Sequence, residues 1–155
     1  MPGNERTELT IRPITADDLP QLLELYGHLS PDDPPCSPTC AEDNFARFLR
    51  YDGNAILVGT KDHIFVTSCV LVVIPNLSRS GHPYALIENV VTHEDHRNRG
   101  YATHVLDAAC DRAWAAGCYK VMLMTGSKRP ETLRFYANAG FLQTKTGFQK
   151  RAPGY

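Results

Sequence analysis

A surplus of charge of either sign is missing from this sequence: sixteen Lys and Arg stand against seventeen Asp and Glu in 155 residues, a formal net charge of −1. A chain so balanced has no global field to draw it onto nucleic acid or anionic lipid, and neither is expected as a partner. Long hydrophobic runs are missing too. None approaches the roughly 18 residues needed to span a bilayer, and the opening Met1 to Glu8 is polar, without the apolar middle of a secretory signal. Cysteine is sparse and odd in number: Cys36, Cys40, Cys69, Cys110 and Cys118 are dispersed, whereas a disulfide framework uses an even set in a shorter secreted chain. A reduced, cytoplasmic chain with free thiols is the expectation. Cys36 and Cys40 have metal-like spacing, but zinc needs two further ligands and only His93 with His96 offers itself, so no metal site is assigned. Repeats and low-complexity blocks are absent as well. With 43% hydrophobic and 21% charged residues there is material for a core, and the length suits a single domain over residues 1–155.

Apolar periodicity then orders the chain. Residues 7–13 read as a short strand with Leu9 and Ile11 on one side. Thr15 caps a helix whose first turn holds Asp17 and Asp18, complementing the dipole, and Leu19, Leu22, Leu23 and Tyr26 recur at helical spacing. Four prolines, at 31, 34, 35 and 38, exclude regular structure over residues 28–39. Thr39 with Glu42 makes a capping-box pair opening a second helix, with Phe45, Phe48 and Leu49 on one face. Residues 55–59 and 64–74 form a strand pair, 75–83 a loop and 84–92 another strand. Residues 100–116 are a strong helix, with Ala102, Val105, Leu106, Ala109 and Ala113 on one face and Gly117 ending it. A short strand at 120–125, a helix from Pro130 to Gly140, and two short strands at 141–144 and 147–151 complete the order β-α-α-β-β-β-α-β-α-β-β. The second half alternates as α/β proteins do.

One segment carries chemistry. From Glu88 to Ala102 a strand runs through a basic turn directly into a helix that starts at Gly100. The first amides of a helix have no intrahelical acceptor, and their dipole favours an anion. Gly100 has no Cβ to keep a phosphate away, and Arg97 and Arg99 flank it, so a diphosphate is the natural occupant. The Gly-Lys-Ser/Thr of a Walker loop and the three glycines of a dinucleotide fingerprint are both absent. What remains is Arg-x-x-Gly-x-Ala over residues 97–102, which resembles the coenzyme A pyrophosphate loop of the GNAT superfamily of N-acetyltransferases. A second match lies about 35 residues on: Phe135-Tyr136-Ala137-Asn138-Ala139-Gly140-Phe141 is similar to the Phe/Tyr-Tyr-x-x-x-Gly-Phe helix near the end of that family. Residues 117–123 look most like glucosamine-phosphate acetyltransferases, although they are a helix end and a core strand and say little about substrate. Together these matches cover less than half the chain.

The resemblance implies the GNAT fold: an α/β (α+β) chain with a mixed, mostly antiparallel central sheet whose fourth and fifth strands are parallel and splay apart. It implies acetyl-CoA as co-substrate, with pantetheine in the opening beside Asn89, Val90 and Val91. The Val91 amide would face the thioester oxygen and stabilise the tetrahedral oxyanion. The amides of Arg99, Gly100, Tyr101, Ala102 and Thr103 would hold the diphosphate, beside Arg97. Many relatives place an Asn after the second splayed strand; here Ser127 stands nearest that role, and Phe135 also falls in the cofactor motif. Lys128 and Arg129 either meet the 3′-phosphate or face water. Tyr136 matches the tyrosine that protonates the departing thiolate, a role open to a phenol that need not ionise first; the alternative is a helix stripe with Leu133 and Ala137. Glu88 is the candidate base, a lone carboxylate in an apolar strand where desolvation would raise its pKa towards neutrality. The alternative for Glu88 is an exposed strand residue or a salt-bridge partner, and His93 and Glu94 stand second as bases.

Direct transfer to a primary amine of a small molecule, an amino sugar or amino acid derivative, is the resulting expectation, and the resemblance implies a homodimer. A protein N-terminus or lysine as acceptor, and a non-catalytic acyl-CoA sensor, are the alternatives. The acidic residues 30–35 would suit a cationic acceptor and the basic residues 78–82 a phosphorylated one; the two conflict.

Overall fold

A computed structural model describes residues 8–155. Thr7 of the expected first strand, and residues 1–7 of the polar opening in which no signal was read, lie outside the described residues. The chain divides after Leu123 into two compact units.

The first unit is built on a five-stranded sheet in the order β1-β2-β3-β4-β5. Its strands are β1 (Thr10–Pro13), β2 (Ala55–Lys61), β3 (Ile64–Ile74), β4 (Tyr84–Thr92) and β5 (Val121–Leu123). Neighbours from β1 to β4 are antiparallel, and β4 with β5 is parallel. This is the mixed, mostly antiparallel sheet anticipated above. After β1 the chain reverses at Thr15, where the Asp18 carboxylate accepts the Thr15 N–H at 2.8 Å and both Arg12 guanidinium nitrogens at 2.7 and 2.9 Å. Those hydrogen bonds, the Arg12 one largest, pull Asp18 down to about 2. Helix α1 (Leu19–Tyr26) follows a 3-10 turn, and α2 is Pro38–Phe48. The start of α2 corrects the capping-box expectation. Ser37, not Thr39, is the cap, with its hydroxyl accepting from Cys40 N–H at 3.3 Å. Pro38 fits the first helical position because the N–H it lacks would have no acceptor there.

Leu19, Leu22 and Leu25 of α1 and Ala41 and Phe45 of α2 pack with Val58, Phe65 and Val91 of the sheet. Each large side chain fully buried there contributes about 1.5–3 kcal/mol. Helix α3 (Tyr101–Ala115) lies across β2, β3 and β4 and buries Val105, Leu106, Ala109 and Ala113 outside that cluster. The buried hydroxyls of Thr67 and Ser68 are satisfied by the carbonyls of Val91 at 3.0 Å and Leu57 at 2.8 Å.

Two departures from regularity position the site. Ser68 opposes Val91 but Val70 opposes Glu88, so Asn89 and Val90 face the single residue Cys69 in a β-bulge, with Asn89 at φ 50°. The parallel pairing of β4 with β5 runs only from Ala85 with Val121 to Ile87 with Leu123. From Glu88 onward, β4 has no strand partner on that side among the described residues.

The second unit holds α4 (Pro130–Asn138). The strands expected at 141–144 and 147–151 are not formed. Leu142 and Phe148 are 83% and 92% exposed, so no buried face fixes a register there, and an isolated hairpin is marginal in water.

Candidate active site

The turn between β4 and α3 is held open by its backbone. After a 3-10 turn at Glu94–His96, Asn98 adopts φ 61° and Gly100 φ 80° with ψ 2°, left-handed conformations that Asn and Gly tolerate best. Among the described residues no side chain caps α3. The first amide to reach back to Gly100 is His104, at 3.3 Å, so the amides of Tyr101, Ala102 and Thr103 precede any helical bond to the turn. Among the described residues a Cβ on Gly100 would meet nothing within 4 Å, so the space above the turn is clear of them. Such a helix start has the geometry and dipole to receive an anion.

The basic residues around it divide in two. Arg97 is committed: its Nε donates to the Thr92 carbonyl at 3.2 Å and its Nη2 to the His28 carbonyl at 3.3 Å. Arg99 is exposed, with no hydrogen-bond or ion-pair partner among the described residues. Lys61, which sequence reasoning did not connect with the turn, donates to the Tyr101 hydroxyl at 3.2 Å. Nothing in a linear reading places a hairpin lysine there; the pairing of β2 with β3 does. Burial, and then the charge of Arg99, push His96 below its usual pKa, and its Nδ1 is buried without a partner among the described residues. His93, a second-choice base, is occupied: its Nδ1 accepts from Asp95 N–H at 3.2 Å and its ring lies 4.1 Å from that of His28. Glu94 is exposed.

At the bulge, Glu88 and Asn89 are both exposed. The desolvation inferred for Glu88 is therefore not found. Glu88 lies on the face of β4 opposite the buried Ala85 and Ile87, so a carboxylate flanked by apolar neighbours in sequence faces solvent. Val90 is partly buried and Val91 buried. Tyr26 of α1 interacts with the Asn89 side chain, and burial raises the Tyr26 phenol to about 12. An Asn inside a strand run was the sequence signal for this bulge, because Asn is depleted in strands and tolerates positive φ.

In the second unit Tyr136 is partly buried, and that burial raises its phenol above the ordinary value. Its ring meets Phe135 and Phe141 edge-on at 4.9 and 6.4 Å. Leu133 and Ala137 are exposed, so they are not a buried stripe. Ser127 is used locally, accepting Arg129 N–H at 3.3 Å and donating to Thr132 Oγ1 at 3.1 Å. Lys128 and Arg129 are exposed, and Arg129 pairs with Glu131 at 3.6 Å. The basic residues 78–82 precede Tyr84, at the opposite end of β4 from the turn, and Arg79 lies over the Tyr119 ring. Among the described residues no cluster of three potential metal ligands occurs, and no helix is long and apolar enough to cross a membrane.

Residues 22–141 match the family model described as Acetyltransferase (GNAT) family. The chain is similar to a glucosamine 6-phosphate N-acetyltransferase of Trypanosoma brucei brucei, 31% identical over 136 residues that cover 86% of this chain and 89% of that protein. A glucosamine 6-phosphate N-acetyltransferase of Oryza sativa subsp. japonica is 28% identical, covering 91% and 86%. Among solved structures, a protein of Agrobacterium tumefaciens str. C58 named as a presumed acetyltransferase superposes with a TM-score of 0.87 at 45% identity, over 92% of this chain and 99% of that one.

Proposed function

The chain belongs to the GNAT acetyltransferase family and is an N-acetyltransferase, and from that premise we propose that it moves the acetyl group of acetyl-CoA directly to the primary amine of a small amino sugar, with glucosamine 6-phosphate the first candidate. The observation that carries this is the start of α3, which among the described residues is uncapped, with three unengaged amides, a left-handed Gly100 and clear space above it. In this reading the diphosphate rests on the amides of Arg99 to Thr103, within positive charge from Arg99 and Lys61. Pantetheine follows β4 from Glu88 onward, where β5 no longer pairs with it. The bulge turns backbone at Asn89 and Val90 out of the ladder, and the Val91 amide stabilises the oxyanion. Glu88, exposed beside the bulge, takes the amine proton directly or through water, and Tyr136 protonates the departing thiolate. Residues 1–155 act as one catalytic domain, in a homodimer. Five free cysteines support a reducing, cytoplasmic setting.

The sugar phosphate is favoured by the two relatives just described, both matching over most of their length. Calorimetry with acetyl-CoA, followed by thiol release against a panel of glucosamine 6-phosphate, unphosphorylated amino sugars, amino acids and peptides, tests the reading. Binding of acetyl-CoA and selective release with glucosamine 6-phosphate are expected. Release only with peptides moves the acceptor to protein amines. Binding without release under any acceptor identifies an acyl-CoA sensor, and absence of binding removes the proposal.

A further inference from the structure

The two arginines of the turn look equivalent in sequence, yet the fold gives them different work. Both are exposed, but Arg99 is unpartnered among the described residues, whereas Nε and Nη2 of Arg97 donate to backbone carbonyls. One of these, Thr92, is the last residue of β4; the other, His28, lies 69 positions away, just past the end of α1. A second contact joins the same two places, because the His28 ring lies 4.1 Å from His93, the residue after Thr92. His93 is itself fixed, through its N–H to the Val66 carbonyl at 2.9 Å and through Nδ1 to Asp95. Between α1 and α2 the connection is rich in proline and aspartate; its first four amides, from Gly27 to Ser30, donate back to carbonyls of α1 at 3.0–3.1 Å, and Asp33 N–H donates to Ser30 at 3.1 Å. The Arg97 bridge and the imidazole pair join that beginning directly to the end of β4 and the turn after it.

We infer that Arg97 is a positioning residue: it ties the α1–α2 connection to the cofactor turn, and so shapes the acceptor side of the site, while Arg99 is the arginine that meets phosphate. This rests on the acetyl-transfer reading above for what each side binds. A guanidinium suits the task because its planar fork can reach two carbonyls at once, which a lysine ammonium on a flexible stem does poorly. The tether also connects the two ligands physically, so an acceptor would meet a connection already ordered from the cofactor side.

Wild type, Arg97→Ala, Arg97→Lys and Arg99→Ala are compared by amide hydrogen exchange and by calorimetric titration with CoA. Loss of a charge-assisted bridge should speed exchange over residues 27–33 about tenfold in both Arg97 variants, with the Kd for CoA within about threefold of wild type. Arg99→Ala should weaken CoA about tenfold and leave that exchange unchanged. With the amine that wild type acetylates in the panel above, Arg97→Ala should raise its KM about tenfold while kcat stays within about threefold, the pattern of lost ground-state positioning. The inference is overturned if Arg97→Ala weakens CoA as much as Arg99→Ala does, if exchange over residues 27–33 is unchanged, if lysine restores slow exchange, or if kcat alone falls. Should wild type bind no CoA, the acetyl-transfer reading fails, and the exchange arm by itself decides whether the tether exists.

Discussion

At the scale of single residues, two ionisable groups make sharp predictions. Asp18 is held down to about 2 by Arg12 and the Thr15 N–H, so the folded form favours its charge. The sign follows: a depressed carboxylate stabilises above its unfolded value and loses that contribution as pH falls from about 4 to about 2. Because Arg12 is 42% exposed, solvent discounts the pair, and Asp18→Asn should cost about 1 kcal/mol at neutral pH and almost nothing near pH 2, read from urea melts at each pH. Tyr136 is displaced the other way. Burial raises its phenol, so the proton needed for the leaving thiolate is retained through neutral pH and lost only above the ordinary tyrosine value. Tyr136→Phe should lower kcat by about a hundredfold or more with the Kd for acetyl-CoA unchanged. The high-pH fall of wild-type kcat should disappear from the residual rate, and a variant with full turnover would return Tyr136 to a purely structural part. The sequence named Tyr136 through its motif, whereas the apolar neighbours of Glu88 suggested a burial it does not have, since it lies on the strand face opposite Ala85 and Ile87.

At the scale of elements, the start of α3 is where backbone conformation and binding meet. Gly100 sits at φ 80° with clear space about it, so a methyl group there clashes with nothing and the penalty is conformational alone. Gly100→Ala should cost roughly 1–2 kcal/mol of stability. It should also weaken acetyl-CoA, because relaxing the turn re-aims the amides of Tyr101 to Thr103; calorimetry beside a thermal melt separates the two effects. The far side of the same helix has a different role. Leu106 is 1% exposed where α3 crosses the sheet, and Leu106→Ala should cost about 2–5 kcal/mol, while Leu142→Ala, at an 83% exposed position, should stay within about 0.5 kcal/mol. Helix α3 was readable because its apolar spacing and its glycines at both ends agree. The closing strands misled for the opposite reason: their short alternations had no buried face to turn inward.

At the scale of the whole molecule, net charge is almost nil, yet Lys61, Arg97 and Arg99 converge on one turn. A neutral chain with a local cationic site should bind acetyl-CoA in a moderately salt-dependent way. Raising ionic strength from about 0.1 to about 1 M shortens the screening length from about 10 to about 3 Å. Affinity should fall about three- to tenfold, reflecting exposed cations, and not the steeper loss of a polyanion binder. Salt-independent binding would leave the amides as the sole anchor.

Local chemistry was written in the chain itself. Periodicity, proline, glycine and the Arg-x-x-Gly-x-Ala and Phe-Tyr-x-x-x-Gly-Phe runs determined the order of elements up to α4, the helix that opens at Gly100 and the family. These depend on neighbours within a few turns, where spacing and backbone preference suffice. Tertiary pairing decided the rest: that Asn89 and Val90 bulge against Cys69, that β5 leaves β4 after Ile87, that Lys61 reaches Tyr101, and that Arg97 spends its guanidinium on His28. Each of these is a contact between residues tens of positions apart, fixed by strand register and packing, and no local pattern encodes which distant carbonyl an arginine will find.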